Sequence, residues 1–399
     1  MTQRLKIANG RILTPYRFIQ NHAVWIEGKM IVAIEPEDVP FEGAEVIDAG
    51  GRYVTPGFID IHTHGAGGHD FMDGTVEAFL GAAEMHARHG TTALIPTTLT
   101  SEMEELHHTL SIFREASALN RKGACMLGMH LEGPYFSLNQ SGAQDPRYIH
   151  DPDPAEYETI VERYKDIIRW SAAPELKGAM EFGRFMSRHG ILPSIAHTDA
   201  IYEEVIEAFE NGFTHMTHLY SAMSGVTRRN AYRYAGVIES AFLIDEMTVE
   251  IIADGIHLPQ SLLRLIYQTK GPSRIALVTD SMRAAGMPEG PSILGSLKGG
   301  QEIIVEDGVA KMPGRQAFAG SVATADRLVR TMVNLAGVHL RETIQMITST
   351  PARICGVYDQ RGSLAVGKLA DLVIFDDQIT IYKTIINGTV VCSEYQNYA

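Results

Sequence analysis

The sequence predicts an α/β fold, a (β/α)8 TIM-like barrel joined to a small β-sandwich domain that is built from both termini. Three observations lead to this prediction. The central part of the chain alternates apolar, strand-like runs with amphipathic helical stretches, and eight such strands can be counted. Both ends instead consist of short alternating segments broken by turn residues. The 399 residues exceed the roughly 250 that such a barrel needs, so enough chain remains for a second domain.

Repeated strand–helix units predict parallel strands, and eight of them predict a closed barrel. Amphipathic stretches such as 76–89 and 155–165 lie between the strands. An open doubly wound sheet is the alternative, but it usually carries a glycine-rich turn after its first strand. The first strand here ends in His62-Thr63-His64 instead. The candidate strands are 57–62, 92–96, 126–131, 168–172, 192–196, 214–217, 249–253 and 275–279.

The two ends of the chain are predicted to form one domain from residues 1–53 and 359–399, with the barrel at 54–358. Turn signals at 8–10 and 27–29 separate short N-terminal strands, and Asn387-Gly388 is expected at the tip of a C-terminal hairpin. Neither end has enough strands to be stable alone, so we expect one small sheet structure to use both.

Composition restricts the class of partner and the compartment. The net charge of −14 argues against a nucleic-acid partner, which favours a basic face. Three widely spaced cysteines, Cys125, Cys355 and Cys392, suggest free thiols in a reducing cytosol. The N-terminus reads as a strand rather than a signal peptide, and no apolar run is long enough to span a bilayer. We expect a cytoplasmic protein with neither a nucleic-acid nor a membrane partner.

His62 and His64 lie two residues apart at the end of the first predicted strand, so their side chains share one face. This geometry lets two imidazoles bind one metal ion. Polar side chains also occur at the ends of the other strands, where a barrel of this kind has its active site. They are Thr97, Thr98, Glu132, Glu175, His197, His218, Asp254, His257 and Asp280.

A charged residue at the end of an apolar strand is costly unless it is paired or binds a metal. Four histidines (His62, His64, His197, His218) with Glu132 and Asp280 therefore predict a site for one or two divalent ions; zinc, iron and manganese all accept such ligands. The remaining histidines are interpreted differently. We expect His86, His89, His107 and His108 to be solvated on helices, and His130 and His215 to be packing residues.

The motifs resemble those of the N-acetylglucosamine-6-phosphate deacetylases, a family of the amidohydrolase superfamily. The Glu-Gly-Pro segment is specific to these deacetylases, since other amidohydrolases often use a carboxylated lysine there. The segment 367–372 (GKLADL) is a superfamily feature of the C-terminal β unit. The other matching motifs are 56–65 (PGFIDIHTHG), 130–135 (HLEGPY), 196–200 (AHTDA), 217–220 (THLY), 253–257 (ADGIH) and 278–280 (VTD).

The resemblance implies a role for each matching position. It implies that Glu132 is shared between two ions and that Asp280 is the catalytic acid and base as well as a ligand. It also implies a homodimer. The implied metal ligands are His62, His64, Glu132, His197, His218 and Asp280. The predicted substrate-binding residues are Gly142, Ala143, Ser221, Ala222, Arg229, Arg233 and His257.

The chain departs from the family pattern in three places. Ser221 stands where the family typically has asparagine, and Gln144 where a histidine is common. The family's Arg-Glu-Pro-Gly is replaced by a longer stretch, 228–236, in which Arg229 or Arg233 could hold a phosphate or simply be solvated. These departures leave undecided which sugar is the substrate and whether it carries a phosphate.

The implied activity is hydrolysis of N-acetylglucosamine 6-phosphate to glucosamine 6-phosphate and acetate. Deacetylation of another acetamido sugar, such as N-acetylgalactosamine 6-phosphate, or a cyclic-amide or nucleobase hydrolase activity remains as an alternative. A non-catalytic barrel that serves as a binding module is a further alternative, although it would be expected to have lost metal ligands. An open-sheet oxidoreductase would need a dinucleotide-binding turn, which 65–68 does not match in context.

Overall fold

In the computed structural model, residues 2–14 and 16–393 are described. Parallel strands form the barrel, each pairing with its neighbour, so the predicted fold class is confirmed. The third strand is interrupted at Gly128, whose φ of 156° breaks the regular pleat. The barrel strands are Phe58–Thr63, Thr91–Pro96, Cys125–Met126 continued by Met129–Glu132, Ile167–Ala172, Leu192–Ile195, His215–Met216, Thr248–Ile252 and Ile275–Val278.

Backbone hydrogen bonds close the barrel between its last and first strands. The amide of Asp280 donates to the carbonyl of His62 (2.9 Å), and the amide of His64 donates to the carbonyl of Ser281 (2.8 Å). A parallel bridge between Thr97 and His130 joins the second strand to the third. The C-terminal ends of the strands therefore meet at one rim.

Helices surround the barrel, and some of them begin at capping residues. Thr75 accepts a hydrogen bond from the amide of Ala78 at the first helix, and Asp153 precedes a proline at the third, as is typical of helix starts. Single turns of 3₁₀ or π helix occur at Phe71–Asp73, Leu138–Gln140, Pro146–Tyr148 and Thr331–Leu335. The helices are Val76–Arg88, Met103–Leu119, Pro154–Arg163, Ala179–Arg188, Tyr202–Glu210, Val237–Leu243, Gln260–Lys270, Ala325–Arg330, Leu340–Ile347 and Ser349–Ile354.

Two sheets form from the terminal parts of the chain, and one of them contains strands from both. In that sheet Tyr53–Pro56 pairs antiparallel with Leu372–Phe375. In order, the mixed sheet contains Thr389–Ser393, Ile381–Ile386, Leu372–Phe375, Tyr53–Pro56, Arg11–Leu13 and Phe18–Ile19. The other sheet contains Met30–Pro36, His22–Glu27, Arg4–Ala8 and Glu45–Asp48.

A shared apolar core lies between these sheets. It joins N-terminal side chains such as Ile7 and Ile26 to C-terminal ones such as Leu372 and Ile385, all buried. Neither terminus could bury these side chains alone, which accounts for the mixed sheet. The domain boundaries at 53/54 and 358/359 stay a prediction. Residues 1, 15 and 394–399 of that predicted domain lie outside the described residues.

A β insertion after the last barrel strand was not predicted from the sequence. It is an antiparallel sheet of Gly290–Leu294, Gln301–Glu306 and Val309–Lys311, with its own apolar core. Two short hairpins also project from loops: Gly65–Ala66 with His69–Asp70, and Thr227–Arg229 with Tyr232–Tyr234. The insertion places Leu294 beside the mouth of the barrel.

An aromatic cluster packs the outside of the fourth barrel strand. The Trp170 ring stacks on Tyr135 with 5.6 Å between centroids, and Phe182 meets it edge-on at 5.5 Å. The indole Nε1 of Trp170 donates to the carbonyl of Gly133 (2.8 Å). Trp170 therefore anchors the turn that follows the third barrel strand.

Trp170→Phe is expected to lower the free energy of unfolding by about 1–3 kcal/mol, because it removes a buried hydrogen bond and leaves a small void. Urea denaturation followed by far-UV circular dichroism measures this. Trp25→Phe is the matched control, since Trp25 stacks on Phe41 but its Nε1 has no hydrogen-bond partner among the described residues. Equal losses in the two variants would contradict the role given to the Trp170 hydrogen bond.

Within the described residues, no helix combines the length and the apolar character that crossing a membrane requires.

Candidate metal centre

Most of the predicted site residues meet at the C-terminal rim of the barrel, around a cavity of about 420 Å³. His62 lies just beneath the cavity wall and is fully buried. Thr97, Thr98 and Glu175, which also follow barrel strands, do not line the cavity. The predicted residues on the wall are His64, Glu132, Gly142, Ala143, His197, His218, Ser221, Ala222, His257 and Asp280.

Glu132 occupies the middle of the cluster. Its Oε1 lies 2.9 Å from Nε2 of His218, 3.3 Å from Nε2 of His197 and 3.7 Å from Nε2 of His62. Its Oε2 lies 3.3 Å from Nε2 of His64. Two buried sets of potential ligands result, one of His62, His64 and Glu132, the other of Glu132, His197 and His218. Glu132 belongs to both.

Asp280 adds a second carboxylate on the side of the first-strand histidines. Its Oδ1 lies 3.1 Å from Nε2 of His64 and 3.5 Å from Nε2 of His62. The fold therefore brings all the predicted metal ligands together, although they come from widely separated strand ends between residues 62 and 280. Their role as ligands stays a proposal.

Left-handed backbone conformations turn three of these side chains toward the cavity. The φ angles are 47° at His197, 26° at His218 and 47° at Asp280. Such conformations cost a non-glycine residue about 1–3 kcal/mol and persist only where the surroundings fix them. At Asp280 the fixing bonds run on both sides, from its own amide to the carbonyl of His62 (2.9 Å) and from the amide of Ser321 to its carbonyl (2.8 Å).

Hydrogen bonds at the far ring nitrogen orient two of the imidazoles. Nδ1 of His197 donates to the carbonyl of Gln140 (2.7 Å), and Nδ1 of His62 donates to Oε2 of Glu250 (3.1 Å). Each bond places a proton on Nδ1 and turns Nε2 toward Glu132, so Nε2 is the nitrogen that would face a bound cation. Among the described residues, Nδ1 of His64 and Nδ1 of His218 have no such partner.

The electrostatics of the cluster favour a cation. Burial alone would lower the pKa of His62, but the charges of Asp280 and Glu132 outweigh burial and raise that pKa well above its ordinary value. Against the same effect of burial, hydrogen bonds to Asp280 and Glu132 raise the pKa of His64 to about 9. These carboxylates thus attract positive charge to the imidazoles. A divalent cation supplies that charge, and imidazole nitrogens with carboxylate oxygens are suitable ligands, so the residues fit such an ion.

Gln144 holds Glu132 in its shared position. Its Nε2 donates to Oε2 of Glu132 (2.8 Å), while its Oε1 accepts from the amide (2.8 Å) and the hydroxyl (3.0 Å) of Thr100. The sequence marked Gln144 as a departure from the family but not as a site residue. The structure places it in contact with the central carboxylate.

His257 is held on the opposite wall by Asp254. Nδ1 of His257 donates to Oδ2 of Asp254 (2.8 Å), and the amides of Ile256 and His257 donate to Oδ1 (2.8 Å each). Because a carboxylate only accepts, Nδ1 carries the proton and Nε2 is the atom available to a ligand. The ring lies 4.7 Å from that of Phe318, between centroids.

The structure does not bring Arg229 and Arg233 to the cavity. Both lie on the hairpin of Thr227–Arg229 and Tyr232–Tyr234, where they are exposed to solvent. None of the described residues that line the cavity is lysine or arginine. Neither arginine therefore lines the cavity of its own chain, because the longer stretch 228–236 folds outward as a hairpin.

A model of the amidohydrolase family matches residues 53–391, which include the whole barrel and the strands Tyr53–Pro56, Leu372–Phe375 and Ile381–Ile386 of the mixed sheet. The chain belongs to the amidohydrolase family. The predicted class of enzyme, a hydrolase of this superfamily, is thereby confirmed. The members of this family are generally dependent on a divalent metal, consistent with the two ligand sets around Glu132.

Two curated relatives of this amidohydrolase match almost end to end. The N-acetylglucosamine-6-phosphate deacetylase of Haemophilus influenzae is 32% identical over 383 residues, covering 96% of this chain and 98% of the relative. The N-acetylgalactosamine-6-phosphate deacetylase of Escherichia coli O157:H7 is 31% identical over 379 residues, covering 95% and 97%.

A solved structure is similarly close. It is an aspartate-to-alanine mutant of N-acetyl-D-glucosamine-6-phosphate deacetylase from Mycobacterium smegmatis, in complex with N-acetyl-D-glucosamine-6-phosphate. Its TM-score to this amidohydrolase is 0.88 at 30% identity, covering 98% of this chain and 100% of that one. The resemblance that the sequence motifs indicate is therefore confirmed by relatives that match along the whole chain.

Proposed function

We propose that this amidohydrolase removes the acetyl group of N-acetylglucosamine 6-phosphate, releasing acetate and glucosamine 6-phosphate. The observation that carries the proposal is the carboxylate of Glu132, shared between two pairs of imidazoles and flanked by Asp280 at the cavity. The full-length relatives that carry this activity in their names support the choice of substrate.

The residues proposed to hold one or two divalent ions are His62, His64, Glu132, His197, His218 and Asp280. Zinc, iron and manganese are all compatible with this set of nitrogen and oxygen ligands. When bound, such a cation lowers the pKa of a water molecule toward neutrality and polarises the carbonyl group under attack.

Asp280 is proposed as the general base and then the general acid. Its carboxylate lies on the cavity wall beside His64, where it can accept a proton from the attacking water. The same proton is then delivered to the amide nitrogen, because an amine leaves readily only after protonation. One carboxylate thereby serves both proton transfers.

His257 is proposed to contact the substrate across the cavity. With Nδ1 bonded to Asp254, Nε2 is the ring atom proposed to meet the carbonyl oxygen of the acetamide as that oxygen gains negative charge. Gly142, Ala143, Ser221 and Ala222 line the remaining wall and are proposed to hold the sugar.

A cytoplasmic homodimer belongs to the same proposal. The cavity wall has no lysine or arginine among its described residues, yet the proposed substrate carries a phosphate. In a dimer, Arg229 or Arg233 on the exposed hairpin could reach the phosphate bound by a neighbouring copy, since arginine presents a planar fork to anionic oxygens. Sedimentation velocity of the purified chain tests the dimer.

Acetate release from a panel of sugars tests the substrate. We expect kcat/KM for N-acetylglucosamine 6-phosphate to exceed that for unphosphorylated N-acetylglucosamine by roughly 10- to 150-fold, because a hydrogen bond to a charged group contributes about 1.5–3 kcal/mol. N-Acetylgalactosamine 6-phosphate is the second candidate, because a relative of 31% identity is named for it. No acetate from either phosphorylated sugar with metal-loaded enzyme would contradict the proposed activity.

A further inference from the structure

We propose that Glu250 is a positioning residue for the metal centre, and that Arg169 holds it in place. Glu250 does not line the cavity and belongs to none of the motifs that predicted the site. It lies within the seventh barrel strand, Thr248–Ile252, and is fully buried below the histidines. The inference rests on the proposed function, because it requires that His62 binds a cation.

Glu250 contacts both sides of the centre. Its Oε2 accepts from Nδ1 of His62 (3.1 Å) and lies 3.3 Å from the backbone amide of His218, which also donates to it. A single carboxylate oxygen thus fixes the ring of one proposed ligand and the strained backbone of another. Its Oε1 lies 3.3 Å from Nε2 of His215 and forms an ion pair with Arg169.

Arg169 is 1% exposed, and its side chain lies in the barrel interior. Beyond its ion pair with Glu250, it donates to the hydroxyl of Ser194 (2.9 Å), the hydroxyl of Thr217 (2.7 Å) and the carbonyl of Ile61 (3.2 Å). Ile61 and Ser194 lie in different barrel strands and Thr217 directly follows a third, so the guanidinium cannot move without disturbing several bonds. Arg169 therefore fixes the position of Glu250.

This arrangement has two consequences for the proposed metal centre. First, a carboxylate at Nδ1 holds the proton there, so the lone pair of Nε2 points toward Glu132 and the proposed cation. Second, the negative charge of Glu250 compensates the positive charge of Arg169 directly under the centre. Without Glu250, the guanidinium would stand uncompensated near the cation and oppose its binding.

Glu250→Gln is expected to weaken metal binding about 10- to 100-fold, the range usual for groups that orient a metal ligand. Metal-free protein is dialysed against buffered Zn²⁺ at a series of free concentrations, and bound zinc per chain is measured by mass spectrometry. We expect the variant to bind fewer zinc ions than the wild type at intermediate concentrations. Zinc binding equal to that of the wild type would overturn the proposal.

Asp326→Asn is the matched control. Asp326 is a buried carboxylate that likewise contacts a histidine and an arginine, His89 (3.0 Å) and Arg330 (2.8 Å), but lies on the helix Ala325–Arg330. It is expected to lower the melting temperature and leave the zinc affinity unchanged. An equal loss of zinc in Asp326→Asn would mean that destabilisation alone explains Glu250→Gln, and would overturn the proposal.

The double variant Arg169→Met/Glu250→Gln keeps the test decisive if Glu250→Gln does not fold. Removing both charges avoids an uncompensated guanidinium, so folding is expected to recover. Zinc affinity is expected to recover only in part, because the uncompensated guanidinium is gone but Nδ1 of His62 still lacks its carboxylate. Return of both folding and zinc affinity to wild-type values overturns the proposal, and failure of the wild type to bind any of zinc, iron and manganese refutes the proposed function instead.

Discussion

Asp280→Asn is expected to lower kcat for acetate release by about 10²- to 10⁴-fold while the protein keeps its metal. The carboxamide cannot accept the proton of the attacking water and cannot deliver one to the amine. Both lost steps involve the same carboxylate, so we expect an effect toward the upper end of that range. The five other proposed ligands remain, which is why the metal should stay. Steady-state kinetics and metal analysis of the same preparation measure the two quantities.

A control separates this effect from a general loss of charge. Asp166 pairs with Arg114 on the surface (2.7 Å), where an ion pair contributes little to stability. Asp166→Asn should therefore have the kcat of the wild type. If Asp280→Asn kept its kcat with metal bound, another group would have to transfer the proton.

Glu132→Gln is expected to abolish metal binding at the centre and, as a result, acetate release. Its carboxylate is the one group common to both ligand sets, within 2.9–3.7 Å of four imidazole nitrogens. The amide of glutamine has no negative charge and only one acceptor atom. We expect the metal affinity to fall by more than about 100-fold, since groups that merely orient a ligand already account for about 10–100-fold. Metal content after gel filtration in metal-free buffer measures the loss.

Glu175→Gln is the corresponding control. Glu175 also follows a barrel strand and is mostly buried, but its carboxylate accepts from the hydroxyl of Thr198 (2.6 Å) and the amide of Asp199 (2.7 Å). It belongs to neither ligand set, so its variant should retain metal. A Glu132→Gln protein that kept a full complement of metal would exclude Glu132 as a shared ligand.

The barrel and the six proposed ligands could be predicted because they follow from strand geometry. His62 and His64 share a face through the two-residue period of a strand, and the ends of parallel strands must meet at one rim. Glu132, His197, His218 and Asp280 each follow an apolar run, so that rim brings them together without any knowledge of the loops.

Features that depend on loops and long-range packing could not be predicted. One such feature is the outward course of residues 228–236. A basic sequence is equally compatible with a loop that covers a cavity and with a loop that projects away from it. The prediction that His86 is solvated is wrong: it is buried, and its Nε2 contacts the hydroxyl of Thr63 (2.9 Å). Its position on an amphipathic helix left open which face it takes. The β insertion after the eighth strand also has no counterpart in the predicted elements.

Glu250 could have been noticed from the sequence. An acidic residue inside the apolar run Thr248-Val249-Glu250-Ile251-Ile252 has no place in a barrel core unless another charge meets it. Its partner, Arg169, lies 81 residues earlier in another apolar strand. Two opposite charges in separate strands predict a buried pair only after the strand order is known.

The left-handed backbone at His197, His218 and Asp280 implies that thermal stability and function oppose each other in this fold. At these three positions the protein adopts an unfavourable backbone conformation. That conformation orients side chains that contribute little to its core. Substitutions that relax those backbones would therefore tend to make the chain more heat-resistant while abolishing its chemistry. Selection for thermal tolerance alone, without an assay for turnover, should accumulate changes at these very positions.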